Sequence, residues 1–245
     1  LENTDSSSYE QNLTYVGIMG LQDPARTEVP ASVALAHRAG VNVAMVTGDH
    51  ALTARAIATE IGILEGVPGE RVVTGEEIEA MSDAELEAAA PDIRVYARVN
   101  PEHKLRIVAA LKNQGHIVAM TGDGVNDAPA LKRADIGVAM GIVGTDVTRE
   151  AADIVLADDN FATIVEAVEQ GRVVFDNLKK VILFLLSCNM SEVLIVSITS
   201  FFSPQAALLP LQILWINLVT DGLPALALGV DPAESDVMTR KPRNA

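Results

Sequence analysis

The chain has 245 residues, a formal net charge of −15 at pH 7 and a sequence pI of about 4.6. This acidity excludes nucleic acid as a partner, because binding to phosphates requires clustered Lys and Arg. The single cysteine, Cys188, excludes an internal disulfide. A mean hydropathy of +0.26 is high for a soluble domain and directs attention to membrane segments.

Short apolar runs alternate with helical patterns from residue 15 to about residue 160, after a polar lead-in at residues 1–14. This alternation predicts βαβ units, so we expect an α/β fold with a buried, Rossmann-like parallel sheet. An acidic helical insertion is predicted at Glu76–Ala90, where Ser82 and Glu85 fit a capping box. The predicted strands are Tyr15–Met19, Val41–Thr47, Val95–Arg98, Ile117–Thr121, Ile136–Met140 and Ile154–Leu156. The predicted helices are Glu28–Ala39, Ala51–Ile61, Pro101–Asn113, Ala128–Arg133 and Asp146–Ala152.

Two apolar stretches near the end of the chain each have about the length of a bilayer-spanning helix. They are Val181–Phe202 and Ala206–Val230, and an amphipathic helix at residues 161–180 precedes them. Basic residues flank only the outer ends of this hairpin, so the positive-inside rule places residues 1–180 and 231–245 in the cytoplasm. The flanking residues are Lys179, Lys180, Arg240, Lys241 and Arg243. A pair of buried helices in a soluble protein is the alternative.

The string Thr121–Leu131, TGDGVNDAPAL, follows a predicted strand and precedes a predicted helix. Ligands of open parallel sheets bind at this end of the strands. Asp123 and Asp127 offer hard oxygen ligands suited to Mg²⁺, and Asn126 can donate to a phosphoryl oxygen. We therefore expect a magnesium and phosphate site in this loop.

Two further segments offer groups for phosphate. Thr47, Gly48 and Asp49 lie between a predicted strand and a helix, where the Thr47 hydroxyl can donate to a phosphoryl oxygen. Lys104 lies on the first turn of a later helix, where its amine can neutralise a transferring phosphoryl group. A helix-capping Asp49 and a solvated Lys104 are the alternatives.

Polar residues inside the two apolar stretches are costly in a membrane and predict an ion site. Asn189 and Glu192 share one face of the first stretch, and Asn217, Thr220 and Asp221 share one face of the second. The glycine and proline that follow Asp221 are expected to interrupt the helix and free carbonyl oxygens for a cation. Hydrogen bonds that pack helices together are the alternative role for the neutral residues.

The combination of a threonine loop, a helix-start lysine and an acidic pair resembles the haloacid-dehalogenase phosphotransferase core. Longer strings are similar to the conserved blocks of P-type cation-transporting ATPases and occur in that family's order. The resemblance covers essentially the whole chain and is strongest to calcium pumps of the sarco/endoplasmic reticulum type. The matching strings are Gly20–Arg26, Thr47–Asp49, Asn100–Lys104, Thr121–Leu131 and Val155–Phe161.

The resemblance implies ATP and Mg²⁺ as cofactors and a role for each matching residue. Asp123 would hold Mg²⁺, and Lys104 and Thr47 would contact the phosphoryl group. Asn126 would assist, and Asp127 would support the loop or add a magnesium ligand. The remaining implied positions are Arg98 near the ribose and Asp23 with Arg26 near the hinge to a nucleotide domain.

The membrane part resembles the fifth and sixth helices of calcium pumps, which implies Ca²⁺ as the transported cation. Asn189 and Glu192 match the fifth helix, and the string Trp215–Pro224 matches the sixth. The implied division is a linker from the nucleotide domain at 1–14, the second half of the phosphorylation domain at 15–160, a stalk at 161–180, the membrane hairpin at 181–230 and a cytoplasmic loop at 231–245.

The chain also departs from the family pattern. Ala25 replaces the second proline of the family's Asp-Pro-Pro-Arg string, and the Asp-Lys-Thr-Gly-Thr motif that the family phosphorylates is absent. We therefore expect a piece of a pump, inactive alone, whose partners are ATP, membrane lipid and the remaining domains. A soluble haloacid-dehalogenase phosphatase and a non-catalytic, membrane-bound nucleotide-binding module are the alternatives.

Overall fold

A computed structural model describes residues 13–17, 19, 24–66, 70–203 and 207–243, and shows an α/β domain followed by two long apolar helices. Its strands are β1 (Met45–Val46), β2 (Val72–Thr74), β3 (Val95–Ala97), β4 (Ala119–Gly122), β5 (Ile136–Met140) and β6 (Ile154–Leu156). The helices of the domain are α1 (Val29–Arg38), α2 (Ala51–Glu60), α3 (Gly75–Ala80), α4 (Asp83–Ala89), α5 (Pro101–Asn113), α6 (Ala128–Arg133) and α7 (Asp146–Ala151). The membrane part contains α8 (Phe161–Phe202), α9 (Pro210–Trp215), a π-helix (Ile216–Asp221) and α10 (Gly222–Gly229).

The strands form two parallel sheets of three strands each, where the sequence predicted a single sheet. The orders are β1-β3-β2 and β4-β5-β6. Among the described residues, β1 and β4 each pair along one edge only. The other edge of each therefore offers unpaired backbone groups.

The strand predicted at Tyr15–Met19 is wrong for the residues of this range that are described. Residues 15–17 and 19 form no strand, and Val16 is 96% exposed. A strand requires a hydrogen-bonding neighbour, and none lies beside this segment in the described part of the chain. The sequence prediction also missed β2, which pairs with β3 and begins directly before the helical insertion.

Local sequence explains where the helices begin. Reciprocal capping boxes start α3, α4 and α5, from Thr74 and Glu77, from Ser82 and Glu85, and from Asn100 and His103. Pro101 occupies the first turn of α5, where its missing N–H costs nothing. The capping box predicted at Ser82 is thus confirmed.

Two aspartates connect neighbouring strands of the second sheet. Asp135, just before β5, accepts the backbone N–H of Val118 at 2.9 Å, and Asp153, just before β6, accepts that of Gly137 at 2.8 Å. Asp135 also pairs with Lys112 of α5 at 2.9 Å. The Val118 hydrogen bond, followed by the contact with Lys112, lowers the pKa of Asp135.

Helix α8 is continuous over 42 residues, where we predicted a stalk and a span separated at residue 180. At 1.5 Å per residue it is about 63 Å long, roughly twice the thickness of a bilayer core. Residues 231–243, which we call the C-terminal strap, return from the second apolar helix and pack on α8 and α1 through Val237 and Met238. Arg172 of α8 fixes this junction, because it donates to the carbonyls of Ala39, Val237 and Arg240 at 2.7–2.9 Å.

Asp135→Asn is expected to destabilise the domain near neutral pH by a few tenths to about 1 kcal/mol, since a charged acceptor is replaced by a neutral one. The folded-state pKa is below the unfolded value, so the stabilisation is present above the unfolded pKa and is lost as pH falls through the folded pKa. Thermal unfolding of the chain in detergent at several pH values measures the difference. Asp92→Asn, at an exposed carboxylate, is the control, and a pH-independent difference would contradict the prediction.

Candidate functional site

The predicted phosphate loops lie at the carboxyl ends of β1, β3 and β4. The Thr47 hydroxyl oxygen accepts the N–H of Asp49 at 3.1 Å, and its hydrogen stays available for a phosphoryl oxygen. The loop after β1 interlocks with the residues after β3, since Arg98 donates its N–H to the carbonyl of Asp49 and Val99 donates to that of Thr47. His50, rather than Asp49, caps α2, so the capping alternative for Asp49 is wrong.

Arg98 occupies a backbone conformation that is rare for a residue with a side chain. Its φ is +50°, in the left-handed region. Its carbonyl oxygen lies so close to Gly75 that a Cβ there would be 2.3 Å away. Glycine at position 75 thus permits the turn that carries Arg98 out of β3, and strain of this kind is typical of functional sites.

Lys104 and Asp127 form a partly buried ion pair. The Lys104 Nζ lies 2.5 Å from the Asp127 Oδ1, and the side chains are 19% and 8% exposed. The second oxygen, Oδ2, accepts the N–H of Gly124 at 3.2 Å. The solvated alternative for Lys104 is therefore wrong, and both oxygens of Asp127 already have partners within the protein.

Asp123 is the available oxygen ligand of this loop. It is exposed, and no side-chain contact to its carboxylate is seen in the described residues. Its backbone is held instead, because Thr145 donates its N–H to the Asp123 carbonyl at 3.0 Å and the Thr148 hydroxyl donates to it at 3.4 Å. Thr148 is fully buried, and the sequence analysis did not predict a role for it. The one sequence feature that could have indicated it is its position three residues after Thr145, the N-cap of α7.

The donor set fits Mg²⁺ that is shared with a substrate. Magnesium sites commonly use one or two carboxylates together with substrate phosphates and water. In the described part of the chain no three His, Cys, Asp or Glu side chains are grouped to hold a metal by themselves. Asp123 would thus supply one ligand, with Asn126 exposed nearby in the same loop.

Of the two residues predicted near a hinge, the structure describes only one. Asp23 lies outside the described residues, and Arg26 is exposed and lies near Asp159. Partial desolvation opposes ionisation of Asp159, but N–H donors from Ile142, Val143 and Gly141, with Arg26, lower its pKa overall. This carboxylate therefore holds the loop after β5 against the segment that leads into α8.

In the membrane part, the structure brings Glu192 and Asn217 into contact, and Cys188 lies near both Glu192 and Asp221. The Asn217 side chain donates to Glu192 Oε2 at 2.9 Å and to the carbonyl of Ile213 at 3.0 Å. Asp221 is 5% exposed. One oxygen of each carboxylate, Glu192 Oε1 and Asp221 Oδ2, is buried without a hydrogen-bond partner. Buried polar atoms of this kind require an explanation, and a bound cation is one that fits two carboxylates.

The second helix is not interrupted at Gly222 and Pro224 as predicted. It widens before them into a π-helix over Ile216–Asp221 and then continues as α10. Pro224 has no N–H to bond to the carbonyl four residues earlier, which favours an altered pattern upstream. The wider turn places Asp221 inside and leaves Thr220 exposed, so these two residues do not share a face as expected.

The remaining side chains near this site lie on α8. Asn189 is exposed and donates to the carbonyl of Leu185 in its own helix at 2.9 Å. The thiol of Cys188 lies close enough to Asp221 and Glu192 to interact with both. The sequence analysis did not include Cys188 in the site, although it lies one helical turn before Glu192.

Both long helices are apolar enough to cross a membrane by length and composition. Their large apolar side chains are exposed, among them Leu183, Ile198, Trp215 and Leu218. A continuous exposed apolar surface of this kind indicates a lipid or protein environment rather than water.

Comparison with known proteins agrees with this arrangement. The model of the haloacid dehalogenase-like hydrolase family matches residues 2–135, and that of the cation transporting ATPase C-terminus matches residues 205–245. A protein named calcium-transporting ATPase 1 from Bacillus cereus is 53% identical over 243 residues, which is 99% of this chain and 27% of that protein.

Two further relatives show similar identity. A calcium-transporting ATPase of Bacillus subtilis is 49% identical over 99% of this chain and 27% of its own length. The endoplasmic reticulum calcium ATPase srcA of Aspergillus fumigatus is 49% identical over 96% of this chain and 24% of its own length. The chain thus spans about a quarter of the length of these relatives. It belongs to the haloacid dehalogenase-like hydrolase family and, within it, to the P-type cation-transporting ATPases.

Proposed function

We propose that this chain is part of an ATP-driven pump that couples formation and hydrolysis of an aspartyl-phosphate to the transport of Ca²⁺. The observation that carries the proposal is the pair of buried, unpartnered oxygens on Glu192 and Asp221. Ca²⁺ takes six to eight oxygen ligands, and the two carboxylates with the side-chain oxygen of Asn217 would supply part of such a set. The exposed Asn189 and Thr220 are not counted in it. The names of the relatives agree with this cation.

The phosphoryl chemistry follows from the residues at the strand ends. Bound Mg²⁺ would neutralise charge on the transferring group, and Asp123 would hold it. The Lys104 amine would bind a phosphoryl oxygen and the Thr47 hydroxyl would donate to another, so that both orient the group. Arg98, Arg26 and Asp23 are proposed to contact the nucleotide side, while Gly48 and Asp49 shape the threonine loop.

The phosphorylated aspartate would come from another part of the protein. The open edges of β1 and β4 support this, since a strand supplied from elsewhere could pair there. The chain alone is therefore proposed to lack ATPase activity. The other proposed partners are ATP and the lipid around the exposed apolar side chains of the hairpin.

The coupling between the two sites is proposed to run through α8. Asn160 caps the start of this helix: its side-chain NH₂ donates to Glu28 before α1, and its side-chain oxygen Oδ1 accepts the N–H of Ala162. The same helix carries Glu192. The Nζ of its Lys180 donates to Oδ2 of Asp231 at 2.8 Å, and Asp231 begins the C-terminal strap, which follows the second membrane helix. A rigid helix of this length would transmit displacement of the cytoplasmic domain to the ion site.

Asp123→Asn, in the full-length protein, is expected to lower the rate of phosphorylation by ATP roughly 10²- to 10³-fold, because it removes charge from the metal ligand and keeps its shape. Acid-stable incorporation of the γ-phosphate measures the effect. Asp146→Asn, at an exposed carboxylate on α7, is the control. Parent-like phosphorylation in Asp123→Asn would contradict the assignment.

Glu192→Gln and Asp221→Asn, tested separately, are expected to raise the Ca²⁺ concentration needed for phosphorylation by ATP by roughly ten-fold or more, the effect of losing about 1.4 kcal/mol of binding. Phosphorylation by inorganic phosphate should persist, since that site lies in the cytoplasmic domain. Ser191→Ala, at an exposed position of the same helix, is the control. Unchanged Ca²⁺ dependence in both variants would remove the main support for a calcium site.

The proposed orientation places Ser203 on the non-cytoplasmic side and Ser235, in the C-terminal strap, on the cytoplasmic side. In a Cys188→Ser background, Ser203→Cys should react with a membrane-impermeant thiol reagent added from the non-cytoplasmic side. Ser235→Cys should react only after the membrane is opened. The reverse labelling pattern would show that the orientation is wrong.

A further inference from the structure

The first turn of α5 contains an imidazole that the proposed phosphoryl chemistry does not use. The side chain of His103 is 7% exposed and lies between Asn100 and Glu79. Its Nδ1 accepts the backbone N–H of Asn100 at 3.3 Å, and its Nε2 lies 2.8 Å from Glu79 Oε2. In return, Asn100 Oδ1 accepts the N–H of His103 at 2.8 Å.

These contacts define the protonation of the ring. A nitrogen that accepts a hydrogen bond must be unprotonated, so Nδ1 carries a lone pair and the proton is on Nε2. The Nε2–H then donates to the Glu79 carboxylate. The imidazole thus connects the N-cap of α5, at Asn100, to helix α3, at Glu79.

Gly75 provides the space for this ring. A Cβ at position 75 would lie 2.9 Å from both Nδ1 and Cε1 of His103, as well as 2.3 Å from the Arg98 carbonyl. Any other residue would displace the imidazole or the backbone of Arg98. The site of His103 is therefore built by three segments: the start of α3, the end of β3 and the first turn of α5.

The next turn of α5 is held by the same helical insertion. Arg106 donates to the carbonyls of Ile78 and Met81, each at 2.8 Å, and pairs with Asp83 at 2.8 Å. The insertion, which consists of α3 and α4, thus forms hydrogen bonds with α5 at both His103 and Arg106. Between these two residues lies Lys104, which points the other way and reaches Asp127.

We propose that His103 is a positioning residue for Lys104. By connecting the first turn of α5 to Glu79 and Gly75, it sets where the Lys104 amine lies relative to Asp127. A lysine side chain has four rotatable bonds, so its amine is placed well only when its backbone is fixed. The inference rests on the proposed function for the phosphoryl group that Lys104 would contact; His103 itself does not contact it.

The kinetic test uses the full-length protein and three variants. His103→Leu removes both side-chain hydrogen bonds and fills the space of the ring with an apolar side chain. His103→Gln restores an acceptor at the N3 position of the capping box. We expect His103→Leu to lower the rate constant for phosphorylation at saturating ATP roughly ten- to hundred-fold, with the Kd for ATP unchanged. His103→Gln should recover most of that rate. His116→Leu, at an exposed position just beyond the same helix, should match the parent.

Two results would overturn the inference: a parent-like rate in His103→Leu, or a loss that His103→Gln does not recover. If His103→Leu fails to fold, Glu79→Ala provides the test, because Glu79 is exposed and removing it deletes only the acceptor of the Nε2–H. The phosphorylation rate of Glu79→Ala should also fall, by a smaller factor than that expected for His103→Leu. A parent-like rate in this variant would count against the proposal.

A second test is independent of ATP. Nitrogen NMR of the histidine-labelled protein should show an unprotonated Nδ1 and a protonated Nε2 for His103 at neutral pH. The ammonium resonance of Lys104 should shift in His103→Leu and not in His116→Leu. A protonated Nδ1, or an unshifted Lys104, overturns the inference. If both NMR results are as expected while the parent is not phosphorylated by ATP, the proposed function fails and the positioning role stands.

Discussion

The partly buried ion pair between Lys104 and Asp127 joins the two halves of the α/β domain. Lys104 belongs to α5, whose apolar face packs on the first sheet through Ile107, and Asp127 belongs to the loop after β4 of the second sheet. Removing Lys104 would leave the buried carboxylate of Asp127 without its charge partner, which is destabilising. A second pair, Lys112 with Asp135 at 2.9 Å, connects the same helix to the second sheet. Helix α5 therefore contacts both sheets and fixes the position of one relative to the other.

Several features that lower the stability of the fold lie at or beside the two candidate sites. Arg98 has a left-handed backbone, β1 and β4 have open edges, and two carboxylate oxygens in the hairpin lack partners. Natural proteins keep such costs mainly where ligands, partners or chemistry offset them. The arrangement thus agrees with the proposal that a strand, a nucleotide and a cation from outside this chain complete the site.

The contacts between the domain and the hairpin combine an apolar cluster around Val237 and Met238 with hydrogen bonds to backbone carbonyls. Arg172 donates to three backbone carbonyls from two different segments, and Asn177 donates to the carbonyl of Asp231 at 2.8 Å. Hydrogen bonds to a charged guanidinium are stronger than neutral ones. The start of α8, the end of α1 and the C-terminal strap are therefore held together by both apolar contacts and hydrogen bonds, as the proposed coupling through α8 requires.

Much of the domain could be predicted from local sequence. Helix α5 and strands β5 and β6 have the predicted bounds, because their start signals and apolar patterns are local. The strand predicted at Tyr15–Met19 and the missed strand β2 show the limit of such patterns. A strand forms only when a neighbour pairs with it, and pairing is a property of distant segments.

The candidate site likewise divides into features that local sequence predicts and features that contacts between distant segments decide. The sequence by itself predicted which residues carry the proposed chemistry: the carboxylates Asp123, Asp127, Glu192 and Asp221, with Lys104 and Thr47, have types and spacings that could be recognised without coordinates. Only the tertiary structure decided which of them have partners. It paired Asp127 with Lys104, left Asp123 exposed, turned Thr220 outward in a π-helix and placed His103 against Gly75. These outcomes depend on contacts between segments far apart in the chain, whose distances no local pattern encodes.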